Sequence, residues 1–336
     1  MSEKVTMNDI AERLDISVAA VSKAMSGKSG VSDELRQLVM RTAEEMGYKI
    51  SRRPHRRSAV SGNIGIITPE RFINDNAFYF QFIRGISAAL QKKGRYALFH
   101  TLTESSEKKA NLPDIFMLQQ VDGIIILGQI SGKYIKAINA AALPVVYLDF
   151  YDEQTADSCI VCDNFYAGYE MTNYLISNGH REIAFVGNIH ATSSIQDRFL
   201  GYVKSLMEHN LTFRNYFLIS DRDGSGKFTP LNLPDIMPTA FVCNCDETAF
   251  RLMTALRENG VRVPDDVSVT GFDNSVYSSM ITPNITTFEV NTMQMSAMAV
   301  EAVMKQIENP SAPMGMVQVK GKPVFKGSVR SINNFV

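Results

Sequence analysis

The chain has 336 residues, of which 45% are hydrophobic and 21% charged, so it is ordinary globular material with room for a small domain and about two larger ones. Its net charge of −1 hides an asymmetry: residues 1–58 carry 11 Lys/Arg against 8 Asp/Glu, and the remainder carries 23 against 27. No run of 18 apolar residues occurs, and the polar start leads into a helix, so we expect neither a signal peptide nor a membrane span and a cytoplasmic protein.

Residues 6–48 predict three short helices, each with its own start signal. Thr6 caps the first, with Asp9 as its capping-box partner; Ser17 caps the second; Ser32 caps the third, ahead of Asp33 and Glu34. Gly47 is placed to end the third helix. Ile10, Leu14, Ile16, Val21, Leu35, Val39 and Met46 fall at helical spacing and predict a small shared core, with Ala11 small enough for a close helix crossing. The second helix offers Val18, Ala19, Ser22 and Lys23 on its outer face, with no acid among them. Short side chains, a hydroxyl and a cation suit close approach to base edges and phosphates in a major groove. Lys49, Arg52, Arg53, Arg56 and Arg57 follow within nine residues. A basic head on a mildly acidic body is the footprint of a nucleic-acid binder.

The rest alternates strands and helices. Strands are expected at 63–67, 96–100, 123–127, 145–149, 183–186, 217–219, 240–243 and 267–270, and helices at 80–93, 166–177, 195–209 and 247–259. Such alternation argues parallel sheets covered by helices, and this many strands fit two sheets facing each other across a cleft better than one. The four cysteines are expected to be reduced thiols: Cys159-x-x-Cys162 has the flanks of a buried strand, and Cys243-x-Cys245 is too tight for the usual zinc pair.

The strand ends carry the chemistry. Phe72, Phe78 and Tyr79 follow the first strand, and Asp149 closes the fourth. Asp246 and Asp273 lie beyond later strands, and Arg198 sits early in a helix. Rings that cover C–H faces, beside carboxylates and a guanidinium that bond vicinal hydroxyls, suit a neutral polyhydroxylated ligand.

These blocks carry a resemblance. The chain resembles bacterial transcription regulators of the lac repressor/galactose repressor family nearly end to end. The matching residues are TMNDIAERLDIS-AAVSKAM, VS-ELR-LV and MGY in the head. In the body they are Ile64-Gly65-Ile66-Ile67-x-Pro69, VDGIII from Val121, PVVYLD from Pro144, Asn178-Gly179-His180-Arg181-Glu182-Ile183-Ala184, Arg198-x-x-Gly201-Tyr202, PDDVSVTGFDN from Pro264, and Thr286-Thr287. The resemblance implies an all-α helix-turn-helix head (residues 1–48), a basic hinge (49–61) and an α/β body (62–336). The body would comprise two doubly wound parallel-sheet subdomains, similar to periplasmic binding proteins, spanning 62–161 plus 290–318 and 162–289 plus 319–336. It further implies a homodimer on near-palindromic double-stranded operator DNA. Val18, Ala19 and Lys23 would face bases; Thr6, Ser17, Ser22, Ser26 and Ser32 would hold phosphates, with Arg52, Arg53, Arg56 and Arg57 added from the hinge. Asp149, Ser194, Arg198, Asp246 and Asp273, with Phe72 and Phe78, would line the effector cleft. The implied function is a repressor of a carbohydrate-utilisation operon under a small sugar effector, with no cofactor, metal or membrane partner.

Several positions depart from the family pattern. Arg57 stands where the family's hinge helix carries a minor-groove leucine. Residues 51–58 read either as a helix capped by Ser51 that inserts an arginine instead, or as a disordered basic linker. Asp15 replaces the usual turn glycine, Ala20 a threonine, and Cys245 an asparagine of the cleft. No terminal leucine heptad precedes Val336, so a tetramer built on a helical tail is not expected. Two rivals remain: a transport-type solute-binding protein, which lacks its export signal here, and a sugar-modifying or phosphoryl-transfer enzyme. For the latter, the stretch 221–228 is a poor phosphate loop without its leading glycine or the Ser/Thr after lysine, and it reads as a surface turn.

Overall fold

A computed structural model describes residues 5–25, 31–46, 48, 61–73, 77–117, 120–155, 158–310 and 314–333. Residues 1–60 and 61–336 form two separate units. The expectations for Ser26, Gly47, Arg52, Arg53, Arg56 and Arg57, and for the hinge at 51–58, lie outside the described residues.

In the head, α1 (Met7–Arg13), α2 (Val18–Met25) and α3 (Asp33–Glu45) form where the caps predict. The Thr6 amide donates to Asp9 Oδ2 at 2.6 Å and the Asp9 amide to Thr6 Oγ1 at 3.4 Å, which makes the capping box. Ser17 Oγ accepts from the Ala20 amide at 3.1 Å and Ser32 Oγ from the Leu35 amide at 3.2 Å. Ile10, Val21 and Val39 are fully buried, with Ala11, Ala24 and Ala43 letting the helices approach; Leu14, Ile16, Leu35 and Met46 close the rim. Asp15 holds φ 51° in the turn between α1 and α2, a left-handed conformation that a short polar side chain tolerates in place of glycine.

The body begins with β1 (Asn63–Pro69), α4 (Ala77–Lys92), β2 (Tyr96–Leu102), α5 (Glu104–Lys109), α6 (Asp114–Met117), β3 (Gly123–Leu127), α7 (Gly132–Asn139), β4 (Val145–Leu148) and β5 (Ser158–Cys162). It continues with α8 (Asn164–Ser177), β6 (Ile183–Val186), α9 (Ser193–Glu208), β7 (Leu218–Ile219), β8 (Ala240–Cys243), α10 (Asp246–Glu258), β9 (Ser268–Thr270) and β10 (Thr287–Glu289). Last come α11 (Thr292–Glu308), β11 (Gly315–Val319) and β12 (Lys322–Val324). One sheet has the order β2-β1-β3-β4-β5-β11, the other β7-β6-β8-β9, and both are parallel throughout. Helices cover both faces, so the inner strands are apolar on both sides; every residue of β3 is buried. The chain passes between the sheets after β5, between β10 and α11, and after β11, while β10 and β12 pair antiparallel.

This topology fixes where a ligand fits. Strand order reverses between β1 and β3 in the first sheet and between β6 and β8 in the second, and a crevice opens beyond the carboxyl ends at such switch points. The segments leaving β1, β3, β6 and β8 therefore face each other.

Differences from the sequence reading have local causes. The fourth strand stops at Leu148 because Asp149 turns left-handed (φ 69°). Residues Asn215–Phe217 form a 3-10 turn, which leaves only Leu218–Ile219 in the strand. Helices α4, α8, α9 and α10 start one to three residues early, the last three on caps Asp163, Thr192 and Cys245. Helix α11 is an addition to the elements expected; its buried face mixes Thr292, Ser296 and Gln306 with Ala and Val, which blurs the apolar period. Cys159 and Cys162 lie on β5 in cores on opposite faces of the sheet, so the pair is a buried strand and all four thiols are free. No helix among the described residues is long and apolar enough to cross a membrane.

Helices α8 and α9 pack closely through two glycines. A Cβ on Gly201 would fall on the carbonyl oxygen of Phe165, and one on Gly168 on that of Arg198. Gly201→Ala should therefore lower stability by about 1–3 kcal/mol, read as a lower urea midpoint. Gly224→Ala, which meets open space, should stay within about 0.5 kcal/mol of the native chain. Equal midpoints for the two variants would show that the helix packing is slack.

Candidate ligand cleft and nucleic-acid interface

On the head, Val18, Ala19, Ser22 and Lys23 are exposed along one side of α2, while Val21 and Ala24 are buried on the other. Val18 is 42% exposed and is not one of the described residues that pack the head's core. Thr6, Ser17 and Ser32 are also exposed, at the amino ends of their helices, where amides and hydroxyls meet anions. The Thr6 hydroxyl is already engaged, donating to Asp9 Oδ2 at 2.8 Å.

In the body, a cavity of about 530 Å³, counted with its open mouth, lies between the two sheets. Phe72, Phe78, Asp149, Ser194, Arg198 and Asp273 line it together; Asp246 does not. Asp246 is fully buried behind the wall, where its carboxylate accepts from the Ser275 amide and the Thr287 hydroxyl, both at 2.6 Å. The expectation that it faces the ligand is corrected accordingly: a carboxylate with two internal donors so close turns inward.

Arg198 is the centre of the wall and only 6% exposed. Its Nε donates to Asn164 Oδ1 at 2.9 Å and its Nη1 to the Asn244 carbonyl at 2.6 Å. The guanidinium lies 3.5 Å from the Phe272 ring centroid, and Nη2 stands 3.9 Å from Asp273 Oδ1. Asp149 faces it from the other sheet, with Oδ2 accepting from the Tyr79 hydroxyl at 3.0 Å. Both acids have left-handed backbones, Asp149 at φ 69° and Asp273 at φ 104°, conformations that non-glycine residues keep only where the surroundings impose them.

Each acid has a buried oxygen without a hydrogen bond. Asp149 Oδ1 and Asp273 Oδ1 are buried and accept a hydrogen bond from no described residue. Burial pushes the Asp149 carboxyl up to about 6, although Arg198 and the Tyr79 hydroxyl pull it down. Burial also raises Asp273, with Arg198 opposing and the neighbouring carboxylates of Asp246 and Asp149 adding to the rise. Buried acceptors in this state need donors, and a ligand rich in O–H or N–H groups supplies them.

The aromatic residues expected after the first strand form one side of the wall. The Phe72 and Tyr79 rings stack at 4.8 Å, and Phe78 packs edge-on behind Tyr79 at 5.4 Å. Cys245 lines the cleft and caps α10, its Sγ accepting from the Thr248 amide at 3.4 Å. Arg222 and Phe228 also line it, from the two feet of the stretch read as a surface turn. They pair as an antiparallel bridge and stack at 4.5 Å. The turn between them is exposed, and its Ser225 and Lys227 amides donate to Asp223 Oδ1, so they are not offered to a phosphate. Gln129, Thr192, Ile195 and Asn244 complete the lining. Among the described residues, no group of three His, Cys, Asp or Glu is placed to hold a metal ion.

The two sheets are bridged across the cleft. The Ser193 amide donates to Gln129 Oε1 at 2.7 Å, the Tyr151 hydroxyl to Asp197 Oδ1 at 2.8 Å, and the Ser194 hydroxyl to the Asp149 carbonyl at 3.2 Å.

A helical head with an acid-free outer helix, followed by a two-sheet body around a polar cleft, defines a DNA-binding regulator with a ligand-sensing body. Comparison with known proteins agrees. The family described as "Bacterial regulatory proteins, lacI family" matches residues 6–51, and "Periplasmic binding protein-like domain" matches 172–329. The HTH-type transcriptional repressor PurR of Glaesserella parasuis is 26% identical, over 98% of this chain and 99% of its own length. Among solved structures, a transcriptional regulator CelR–cellobiose complex superposes with TM-score 0.69 at 20% identity, covering 97% of this chain and 100% of that one. The lac repressor dimer bound to operator and the anti-inducer ONPF superposes with TM-score 0.67 at 22% identity, covering 98% and 100%. The chain therefore carries a lacI-family DNA-binding domain ahead of a periplasmic binding protein-like domain.

The carboxyl of Asp149 yields a pH prediction with a definite sign. Because its folded value is raised to about 6, the folded state holds the proton more tightly than the unfolded one. Stability should therefore fall as pH rises from about 4 to about 6. Asp149→Asn should flatten that slope and leave the unliganded chain more stable than native at pH 8, by on the order of 1 kcal/mol. Urea unfolding at pH 5 and pH 8 measures it; parallel pH profiles for the two chains would mean that Asp149 stays ionised.

Proposed function

We propose that this chain is a transcriptional repressor that binds a near-palindromic operator as a homodimer in the cytoplasm. One head engages each half-site, with α2 in the major groove, Val18, Ala19 and Lys23 towards bases, and Thr6, Ser17, Ser22, Ser26 and Ser32 on phosphates. Arg52, Arg53, Arg56 and Arg57 add backbone charge. The effector is a neutral, hydroxyl-rich molecule, a small sugar, bound by Asp149, Ser194, Arg198 and Asp273 and covered by Phe72, Phe78 and Tyr79. The operon it controls would accordingly be one of carbohydrate use.

The idle oxygens of Asp149 and Asp273 carry this reading. They want donors, and ligand hydroxyls are donors with apolar C–H faces beside them for the stacked rings to cover. An anionic ligand would find the cleft's one central guanidinium already shared between two acids. The cellobiose of the CelR complex is a ligand of the favoured kind, bound by a protein of the same fold.

Thermal-shift screening of mono- and disaccharides, with nucleobases as the competing class, tests it. A ligand at 100 times its Kd adds about 2.7 kcal/mol. Arg198→Ala should abolish the shift and leave operator binding intact. A shift produced only by nucleobases would reject the sugar assignment, and one retained by Arg198→Ala would remove Arg198 from the site. On the DNA side, replacing Arg56 and Arg57 with Gln should flatten the dependence of operator affinity on salt, by close to one unit of log–log slope for each phosphate left without its cation. An unaltered slope would show that the hinge does not touch the duplex.

A further inference from the structure

We propose that Asp246, although outside the cleft, is the positioning residue of the ligand site. It clamps the segment 271–275, which carries the Asp273 acceptor and the Phe272 ring beneath Arg198, onto the crossover strand β10. The proposal rests on the cleft being the ligand site.

The clamp is built from several short bonds. The Asp246 amide donates to the Phe272 carbonyl at 2.8 Å. Its Oδ2 accepts from the Ser275 amide, and its Oδ1 from the Thr287 hydroxyl on β10. Thr287 Oγ1 in turn accepts from the Asn274 amide at 3.2 Å. The Asp273 amide donates to the Phe288 carbonyl at 2.8 Å, and Phe288 stacks on Phe272 at 5.3 Å. Between these anchors lie two consecutive left-handed residues, Asp273 at φ 104° and Asn274 at φ 50°. That corner aims Asp273 into the cleft, and it persists only while both of its ends are held.

The ordinary role for an acid at this position does not account for it. An aspartate at the start of a helix is commonly its cap, but the cap of α10 is Cys245, whose Sγ accepts from the Thr248 amide. Asp246 is instead a fully buried carboxylate, costly to place there unless its oxygens are satisfied. The donors that satisfy it come from the two segments it joins. Gly271 fits the same plan: a Cβ there would collide with Asp246 Oδ1, so the carboxylate lies flush against the backbone. The strand it grips leads within three residues to the passage into the other subdomain. Asp246 therefore ties the geometry of Asp273 to the crossover between the two subdomains.

Hydrogen exchange in the full chain tests the clamp without any ligand. Asp246→Ala should accelerate exchange of the Asp273, Asn274 and Ser275 amides about tenfold or more, the loss expected when buried bonds of about 1.4 kcal/mol go. Protection in β1, β3 and α9 should be unchanged. Asp246→Asn should restore protection, because its oxygen still accepts from Ser275 and its amide can donate to Thr287 Oγ1. Unchanged exchange at 273–275, or acceleration throughout the body without rescue by Asn, would overturn the proposal. In the sugar screen, Asp246→Ala should weaken binding about tenfold and Asp246→Asn recover it; full binding by Asp246→Ala would also overturn it. If the native chain binds no sugar, the sugar reading fails by itself and the exchange experiment still decides the clamp.

Discussion

The body is arranged around keeping one buried guanidinium solvated by protein. Removing Arg198 from water costs several kcal/mol, and only dense compensation makes it tolerable. Asn164 comes from the first turn of α8, the Asn244 carbonyl from the end of β8, and the Phe272 face from the segment after β9. All three must converge on the first turns of α9, which requires α8 and α9 to touch at backbone distance. Gly168 and Gly201 make that approach possible, and the carbonyl that Gly168 meets is that of Arg198 itself. Helix packing, strand ends and the electrostatics of the cleft are one constraint seen at three scales.

The charges around this centre are unequally paired. Arg222 is held by Asp221 through Nε and Nη2 and braced against Phe228, whose ring also meets Arg251 at 4.3 Å. Asp221 is satisfied by Arg222, Thr248 and Asn244. These groups stiffen the second sheet's end and have little capacity left. Asp149 and Asp273, by contrast, share Arg198 without a close hydrogen bond to it and keep a vacant acceptor each. Polar capacity in the cleft is thus concentrated on two oxygens held by strained backbone, where an outside donor gains most.

Local signals were legible in the sequence. The three head caps, the head core and most strand positions followed from residue chemistry within a few positions. Six of the seven cleft candidates meet at one cavity, because strand ends in parallel sheets share a side. What escaped was non-local. Arg222 and Phe228 are brought together by a bridge across a turn that reads as mere surface, and nothing in the turn's own residues marks its feet as cleft wall. Asp246 misled because an acid just beyond a strand fits a cleft and a cap equally well. Only the thiol of Cys245 taking the cap, and Thr287 and Ser275 standing behind it, show which way the carboxylate turns. Helix α11 was hidden by polar residues that are buried against other elements, such as Ser296, whose hydroxyl lies 3.3 Å from the Phe82 carbonyl on α4.

The location of the two vacant acceptors bears on how binding could be communicated. Asp149 belongs to the first sheet's end and Asp273 to the second's, so a ligand that donates to both is a bridge between subdomains, alongside the direct bridges from Ser193 to Gln129 and from Tyr151 to Asp197. A molecule that satisfied only one acid would bind open and closed clefts about equally and move nothing, however tightly it held. One that needs both is bound better when the cleft is closed, and only such differential affinity can shift a conformational equilibrium. A coupling of about 1–3 kcal/mol, within reach of one charge-assisted hydrogen bond made only on closure, changes a second site's affinity about 5–150-fold. Ligand length and donor placement, more than total affinity, then decide which molecules act as effectors.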